Sequence, residues 1–317
     1  MSKTQIVNQY NSVYIVMVLL CVAAFIYKPS YMQAENIYVM LRQTSALGML
    51  ALGQLFVISA GGVDLSVAAT MQGAVTIFMF SSNTYGPAGL VVGIVLSLIA
   101  GLIVGLINGI IIAKFKVQPF LTTLFTGAIL VGIRRVFAGV TPMGVAPRQI
   151  MDIVKGEKSG AFPNAALIFL FFSVIVFVIF KYTVYGRKIM SVGTNPTAAL
   201  FSGYKIDRIK ISTYCISALA AVLSSIVMVG YTGYADQEAL GKGMEMDSLV
   251  AVVLGGNYLG GGRGSVVGTV GGVLVTTLII NIVILFGFEI QHQYVVKGVI
   301  LLLVTFIASL VRKNAHV

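Results

Sequence analysis

The stretch MDSLVAVVLGGNYLGGGRGSVVGTVGG, Met246 to Gly272, decides the fold. Its first apolar run, Met246 to Leu254, is too short to cross a bilayer as a helix, which takes roughly 20 residues. Glycines then lead into a second, longer apolar run. Non-helical backbone at membrane depth is tolerated only where protein or a water-filled cavity covers it, and transporters and channels contain such half-length spans. The stretch therefore predicts a membrane protein that moves a solute.

Composition places the whole chain in a membrane. Of its 317 residues, 58% are hydrophobic and 10% are charged, whereas a soluble domain carries about 25% charged residues. The net charge of +11 fits basic residues that collect in cytoplasmic loops. Because these residues are not interleaved with exposed aromatic ones, we expect no nucleic-acid partner. We predict one integral membrane domain over residues 1–317, with lipid as its surroundings.

Apolar runs predict an all-α integral membrane protein with about ten membrane segments, one of them short and broken. The segments lie at about residues 12–28, 37–60, 64–82, 87–113, 119–137, 164–182, 209–230, 246–257, 264–286 and 294–311. The loop between the sixth and seventh segments is rich in lysine and arginine, with Asp207 as its acid. The positive-inside rule puts this loop in the cytoplasm. An even number of segments then predicts cytoplasmic N- and C-termini.

The fourth segment carries a small residue at every fourth position. The ladder is Gly89, Gly93, Ser97, Gly101, Gly105, Gly109 and Ala113. On a helix these residues form one ridge, which lets two backbones approach closely in lipid. Packing inside the protomer is the ordinary role of such a ridge. A contact between two copies and the lining of a pore are the alternatives.

Two glycine-rich breaks are candidate gating elements. In AGGVDLSV (60–67), two glycines break a helix and Asp64 follows, where its carboxylate can cap the next helix. A plain helix cap, a gate and a contact for a cytoplasmic partner all fit this motif. The candidate gating residues are Gly61, Gly62, Asp64, Gly255, Gly256, Gly261 and Gly262.

The inner loop 183–208 contains a candidate coupling segment, GTNPTAALFSGYKIDRIK (193–210). Asn195 followed by Pro196 predicts a helix start, and Gly203 predicts its end, so we expect a short helix at Pro196–Ser202. A short amphipathic helix in an inner loop suits a membrane protein that receives force from a soluble partner, and a solvated connecting loop is the alternative. The candidate coupling residues are Gly193, Asn195, Pro196, Ala198, Ala199 and Gly203.

Polar side chains inside the predicted segments are candidates for a solute path. The QPFLTTL motif (118–124), which opens the fifth segment, adds Phe120 and a pair of threonines. Each of these residues could equally form hydrogen bonds between helices. The candidate path residues are Gln54, Gln72, Asn108, Phe120, Thr123 and Asn281.

Several patterns are missing from the sequence. We find no carboxylate in the middle of a predicted segment, no phosphate-binding loop, no nucleophile beside a base and no histidines at metal-ligand spacing. We therefore expect no enzyme, no catalytic residue, no cofactor and no metal site. An ion-coupled secondary carrier and a channel remain the alternatives to an ATP-driven transporter, although a carrier usually places an acid within the membrane.

Four blocks along the chain carry a family resemblance. They are ALGQLFVISAGGVDLSV (51–67), QPFLTTL (118–124), GRKIMSVGTNPTAALFSGYKIDRIK (186–210) and GMEMDSLVAVVLGGNYLGGGRGSVVGTVGG (243–272). On these residues the chain resembles the permease subunits of bacterial ATP-binding-cassette importers of the ribose, xylose and autoinducer-2 group. It departs from the family at Ala68-Ala69, where Gly-Ser is frequent, and at Met246, near which leucine is more usual.

The resemblance implies a multi-pass protein of the bacterial inner membrane that imports a sugar or a sugar-like solute. It implies three protein partners: a cytoplasmic ATP-binding subunit that hydrolyses the ATP, a periplasmic or lipid-anchored solute-binding protein, and a second permease. It also implies that the loop Gly193–Lys210 contacts the ATP-binding subunit. The identity of the solute, and whether the second permease is a copy of this chain, stay open.

Overall fold

The computed structural model describes residues 3–139, 143–155, 162–236 and 240–287, and residues 295, 298 and 299. In these ranges the regular elements are helices, with one 3-10 turn at Pro29–Met32. The α-helices are α1 (Lys3–Tyr27), α2 (Ala34–Ser59), α3 (Val67–Lys114), α4 (Pro119–Ala138), α5 (Arg148–Lys155), α6 (Asn164–Tyr182), α7 (Val184–Thr194), α8 (Pro196–Phe201), α9 (Ile206–Thr232), α10 (Met244–Leu254) and α11 (Val266–Leu285). The predicted all-α class is confirmed.

Six helices in the described part of the chain are long and apolar enough to cross a membrane, namely α2, α3, α4, α6, α9 and α11. Of the other predicted segments, the first corresponds to the shorter apolar run Val13–Tyr27 of α1, and the eighth to α10. The third and fourth both fall within α3. The tenth, at 294–311, lies outside the described residues. The total of ten and the side on which the termini lie therefore stay predictions.

Helix α3 is a helical hairpin. Its 48 residues would extend about 72 Å if straight, far beyond the roughly 30 Å of a bilayer core. Gly86 breaks the helix with φ 64° and ψ −146°. Farther along, the Ser97 hydroxyl donates to the Ala74 carbonyl at 3.0 Å. The hydrogen bond shows that a first arm (67–85) and a second arm (87–114) fold back against each other, as the two predicted segments require.

The small-residue ladder packs the second arm of α3 inside the protomer. A Cβ added to Gly93 would lie 2.6 Å from the Cα of Phe78 in the first arm. A Cβ added to Gly105 would lie 2.6 Å from the carbonyl oxygen of Tyr214 in α9. Contacts this short exclude any side chain at these positions. The interpretation of the ladder as internal packing is confirmed for these glycines.

Helices α2 and α9 form the interior of the fold. Most of the apolar stretch of α2, and two thirds of that of α9, is buried, whereas the second arm of α3, α4 and α6 are mostly exposed. Helix α9 packs along both α2 and α3. The exposed surfaces of α3, α4 and α6 are therefore the ones that meet lipid or a partner chain. The candidate site lies where α2, α7 and the loop after α10 come together.

Candidate coupling and gating site

Helix α10 confirms the predicted half-length helix. It has 11 residues and a length of about 16 Å, roughly half of a bilayer core. The chain then turns and packs directly on α11. A Cβ on Gly255 would lie 2.7 Å from the amide nitrogen of Thr269, and a Cβ on Gly272 would lie 2.8 Å from the amide nitrogen of Gly255. The glycines thus let the end of α10 touch the backbone of α11.

Asn257 fastens the glycine-rich loop to α11. Its Nδ2 donates to the Val252 carbonyl at 2.8 Å and to the Thr269 hydroxyl at 2.9 Å. Its Oδ1 accepts from the backbone N–H of Ser265 at 2.7 Å. Sequence reasoning missed this residue. The available signal was an asparagine directly after two glycines in apolar surroundings, where a buried amide must find hydrogen-bond partners.

Three chain segments meet at one point, which we call the glycine junction: residues 59–62 after α2, residues 193–194 at the end of α7, and residues 260–263 in the loop before α11. Two hydrogen bonds hold it together. The Gly262 N–H donates to the Ser59 carbonyl at 3.0 Å, and the Ser59 hydroxyl donates to the Arg263 carbonyl at 3.2 Å. The junction brings the predicted coupling segment against both predicted gating breaks.

The junction is a contact of main chain with main chain. A Cβ added to Gly261 would lie 2.8 Å from the Cα of Gly61 and 2.9 Å from the Cα of Gly193. Gly261 and Gly262 also have φ angles of +85° and +79°, which residues with a side chain adopt at a cost. No side chain separates the three segments, so a movement of one segment toward another meets backbone directly.

The coupling segment folds as predicted. Helix α8 begins at Pro196, and the Asn195 side chain caps it by accepting from the Ala198 N–H at 3.0 Å. The helix ends one residue earlier than predicted, at Phe201, and the chain turns at Gly203 with φ +80°. The Phe201 ring is 87% exposed. Sequence reasoning did not single out this residue.

Asp64 does not cap α3 in the predicted way. The N-cap of α3 is Ser66. The Asp64 carboxylate instead accepts from the Ser66 N–H at 3.0 Å and from the Ser66 hydroxyl at 2.6 Å. The loop folds into the protein and buries Asp64 completely. Burial raises the pKa of the Asp64 carboxyl above its usual range, and the hydrogen bonds from Ser66 lower it in part.

Two of the predicted path residues, Asn108 and Thr123, anchor this same loop. Asn108 Nδ2 donates to the Ser66 hydroxyl at 2.9 Å, and its Oδ1 accepts from the Thr126 hydroxyl at 2.7 Å. The Thr123 hydroxyl accepts from the Leu65 N–H at 3.0 Å. The second arm of α3 and the start of α4 are thereby tied to the loop after α2. Both side chains act as hydrogen-bond links between elements, the alternative that the sequence left open.

The remaining path candidates lie on α2, the first arm of α3, α4 and α11. Asn281 on α11 donates to Gln43 Oε1 of α2 at 2.7 Å. Gln72 is buried on the first arm of α3, and Phe120 on α4 is half exposed. Gln54 is completely buried in α2, and its side-chain amide has no hydrogen-bond partner within the part of the chain that the structure describes. A common solute site formed by the six candidates therefore stays a prediction.

Among the residues that the structure covers, no cluster of three or more histidine, cysteine, aspartate or glutamate side chains is placed to hold a metal ion.

Comparisons with known proteins agree on one family. A family model described as the permease component of branched-chain amino acid transport systems matches residues 36–305. The chain is 34% identical to the ribose import permease protein RbsC of Bacillus subtilis, over 90% of this chain and 88% of that protein. It is 35% identical to the probable ABC transporter permease protein YphD of Escherichia coli K12, over 86% of this chain and 81% of that protein. It is 30% identical to the galactose/methyl galactoside import permease protein MglC of the same strain, over 95% of this chain and 94% of that protein. No solved structure matches the chain.

Proposed function

The chain belongs to the family of permease components that this model describes, and from that premise we propose that it is the transmembrane subunit of an ATP-driven importer of a sugar. It is a multi-pass membrane protein and a transporter component rather than an enzyme. The cargo class follows from the relatives, since those named above include import permeases for ribose and for galactose or methyl galactoside. Which sugar this chain carries is not part of the proposal.

The glycine junction is the observation that carries the proposed mechanism. A cytoplasmic ATP-binding subunit contacts α8 and displaces it during ATP binding and hydrolysis. Helix α8 follows Gly193 and Thr194 directly, and Gly193 touches the backbone of Gly261. The displacement reaches the loop between α10 and α11 through this contact, and the loop after α2 through Gly61. Access to the path then changes from one side of the membrane to the other.

The proposal includes three partners and a topology. The partners are a cytoplasmic ATP-binding subunit, a periplasmic or lipid-anchored solute-binding protein, and a second permease. The topology has ten membrane segments, with both termini in the cytoplasm. Among the candidate path residues, Gln54 has a side-chain amide whose buried nitrogen and oxygen have no hydrogen-bond partner in the described part of the chain, and a sugar hydroxyl can bind them when α2 becomes accessible. Asn108, Thr123 and Asn281 are already hydrogen-bonded.

Two exposed phenylalanines allow a matched test of the coupling role. Phe201 on α8 is 87% exposed, and Phe137 at the far end of α4 is 86% exposed. The chain is reconstituted with its ATP-binding subunit and binding protein, and sugar uptake and co-purification of the ATP-binding subunit are measured. We expect Phe201→Ala to lose sugar uptake and co-purification of the ATP-binding subunit, and Phe137→Ala to keep these two properties. Equal behaviour of the two variants would show that α8 does not contact the ATP-binding subunit.

The burial of Asp64 favours one alternative, a proton-coupled carrier, because such carriers keep an acid inside the protein. Proteoliposomes that hold the chain alone, with a proton gradient and no ATP, distinguish the two functions. The importer predicts no sugar accumulation. Accumulation that Asp64→Asn abolishes would establish the carrier. Passive equilibration of sugar without any gradient would instead indicate a channel.

A further inference from the structure

A basic cavity lies beside α8, outside the glycine junction. Its volume is about 400 Å³. It opens between the start of α7, the turn after α8 and the first turns of α9. The side chains that line it include Tyr185, Lys188, Tyr204, Lys205, Arg208 and Ser212.

The side chains that line the cavity give it a positive charge, which suits an anion. Lys188, Lys205 and Arg208 contribute three cations, and no acidic residue is among those that line it. The neighbouring acid, Asp207, is paired with Lys116, with Nζ and Oδ1 3.2 Å apart. Helix α9 begins at Ile206, so the positive end of its dipole adds to the potential at the cavity. Several cations around one space suit a phosphate group, which accepts several charge-assisted hydrogen bonds.

The position of the cavity at the membrane boundary indicates where the phosphate comes from. Helix α6 ends at Tyr182, and α9 begins at Ile206, so the cavity lies where these two candidate spans reach the same side. Tyr182 is 63% exposed, and Val184 next to it is 55% exposed. The Lys181 Nζ lies 5.0 Å from the centre of the Phe177 ring. Tyrosine and lysine gathered at the end of a span mark the level of the lipid headgroups.

We propose that this cavity binds the phosphate of an acidic phospholipid headgroup, with Lys188, Lys205 and Arg208 as its ligands. Acidic lipids bind to basic pockets between membrane helices on the cytoplasmic side. The exposed apolar side chains at Tyr182 and Val184 meet the upper part of the acyl chains. The inference depends on the chain being a membrane protein, and it does not depend on the cargo or on ATP. The bound lipid joins the start of α7 to the start of α9, and so holds the turn that follows α8.

Competition between lipids tests the proposal. The full chain is inserted into nanodiscs of phosphatidylcholine with a minor fraction of phosphatidylglycerol, and the lipids that remain bound are counted by native mass spectrometry. The test variant is Lys205→Gln with Arg208→Gln, both on exposed residues. The control is Lys28→Gln with Lys114→Gln, which removes two exposed cations near span ends that do not line the cavity. We expect the test variant to weaken phosphatidylglycerol retention about fivefold per cation removed, and the control to retain it.

Three results would overturn the proposal. The first is equal retention of phosphatidylglycerol by the test and control variants. The second is its displacement by inorganic phosphate, which would make the cavity a site for a soluble anion. The third is unchanged lipid retention together with loss of the ATP-binding subunit, which would make the three cations a protein contact. Melting temperatures are measured for each variant, and Lys188→Gln, on the other wall of the cavity, replaces the test variant if that variant does not fold.

Discussion

Replacing Gly261 with alanine adds one methyl group at the centre of the glycine junction. The new Cβ would lie 2.8 Å from the Cα of Gly61 and 2.9 Å from the Cα of Gly193. Both contacts are with backbone, so no side chain can rotate away. The three segments must separate by roughly 0.6–1.2 Å to restore ordinary van der Waals distances.

The expected loss of stability has two parts. The φ angle of Gly261 is +85°, and an alanine there costs about 1–2 kcal/mol. Forcing a methyl group into a closely packed site costs about 1–3 kcal/mol more. The sum is about 2–5 kcal/mol of unfolding free energy. Gly287→Ala is the matched control, because its φ is +76° and no atom of the described residues lies within 4 Å of an added Cβ. The control variant should lose only the cost of the positive φ angle, about 1–2 kcal/mol of unfolding free energy.

The measurement is the unfolding free energy of the two variants in the same detergent, followed by uptake and ATP hydrolysis in the reconstituted complex. We expect Gly261→Ala to be the less stable variant and, where it still folds, to hydrolyse ATP with reduced uptake. Gly287→Ala should keep the ratio of sugar moved to ATP hydrolysed. Equal loss of stability in the two variants would refute the tight backbone contact. Normal uptake by a stable Gly261→Ala protein would refute its role in transmitting movement.

Two further predictions concern residues that hold the fold around the junction. Asn257→Ala leaves the buried N–H of Ser265 without its acceptor and should cost about 1–3 kcal/mol of unfolding free energy, whereas Asn83→Ala, at an exposed hydrogen bond, should cost less in the same denaturation experiment. Gly105→Leu should sharply reduce the yield of folded protein in size-exclusion chromatography, whereas Gly73→Leu, with open space around its Cβ position, should not. A normal yield for Gly105→Leu would show that α3 and α9 can separate.

Local features of this chain could be predicted from the sequence. The length of the apolar run before Gly255 predicted α10. Asn195, Pro196 and Gly203 predicted α8 to within one residue. The four-residue spacing of the ladder predicted a close helix contact. Each of these signals lies within one helix or one turn, where geometry depends on neighbouring residues alone.

The assembly of the site could not be predicted in the same way. The glycine junction joins Gly61, Gly193 and Gly261, which are 132 and 68 residues apart along the chain, and glycines carry no charge or pattern that selects a distant partner. The burial of Asp64 depends on how its loop folds between helices that are themselves far apart in sequence. The basic cavity likewise needs α7 and α9 side by side.

The direct meeting of three backbones at Gly61, Gly193 and Gly261 also restricts how this protein can change. Elsewhere in a protein interior, a larger side chain can be accommodated by a smaller one across the contact. At the glycine junction all three contacting residues are glycines, which have no side chain that could become smaller. A larger residue in one segment therefore has no compensating substitution in the other two. Adaptation to a new cargo must therefore use substitutions elsewhere in the chain, while the glycine junction keeps its form.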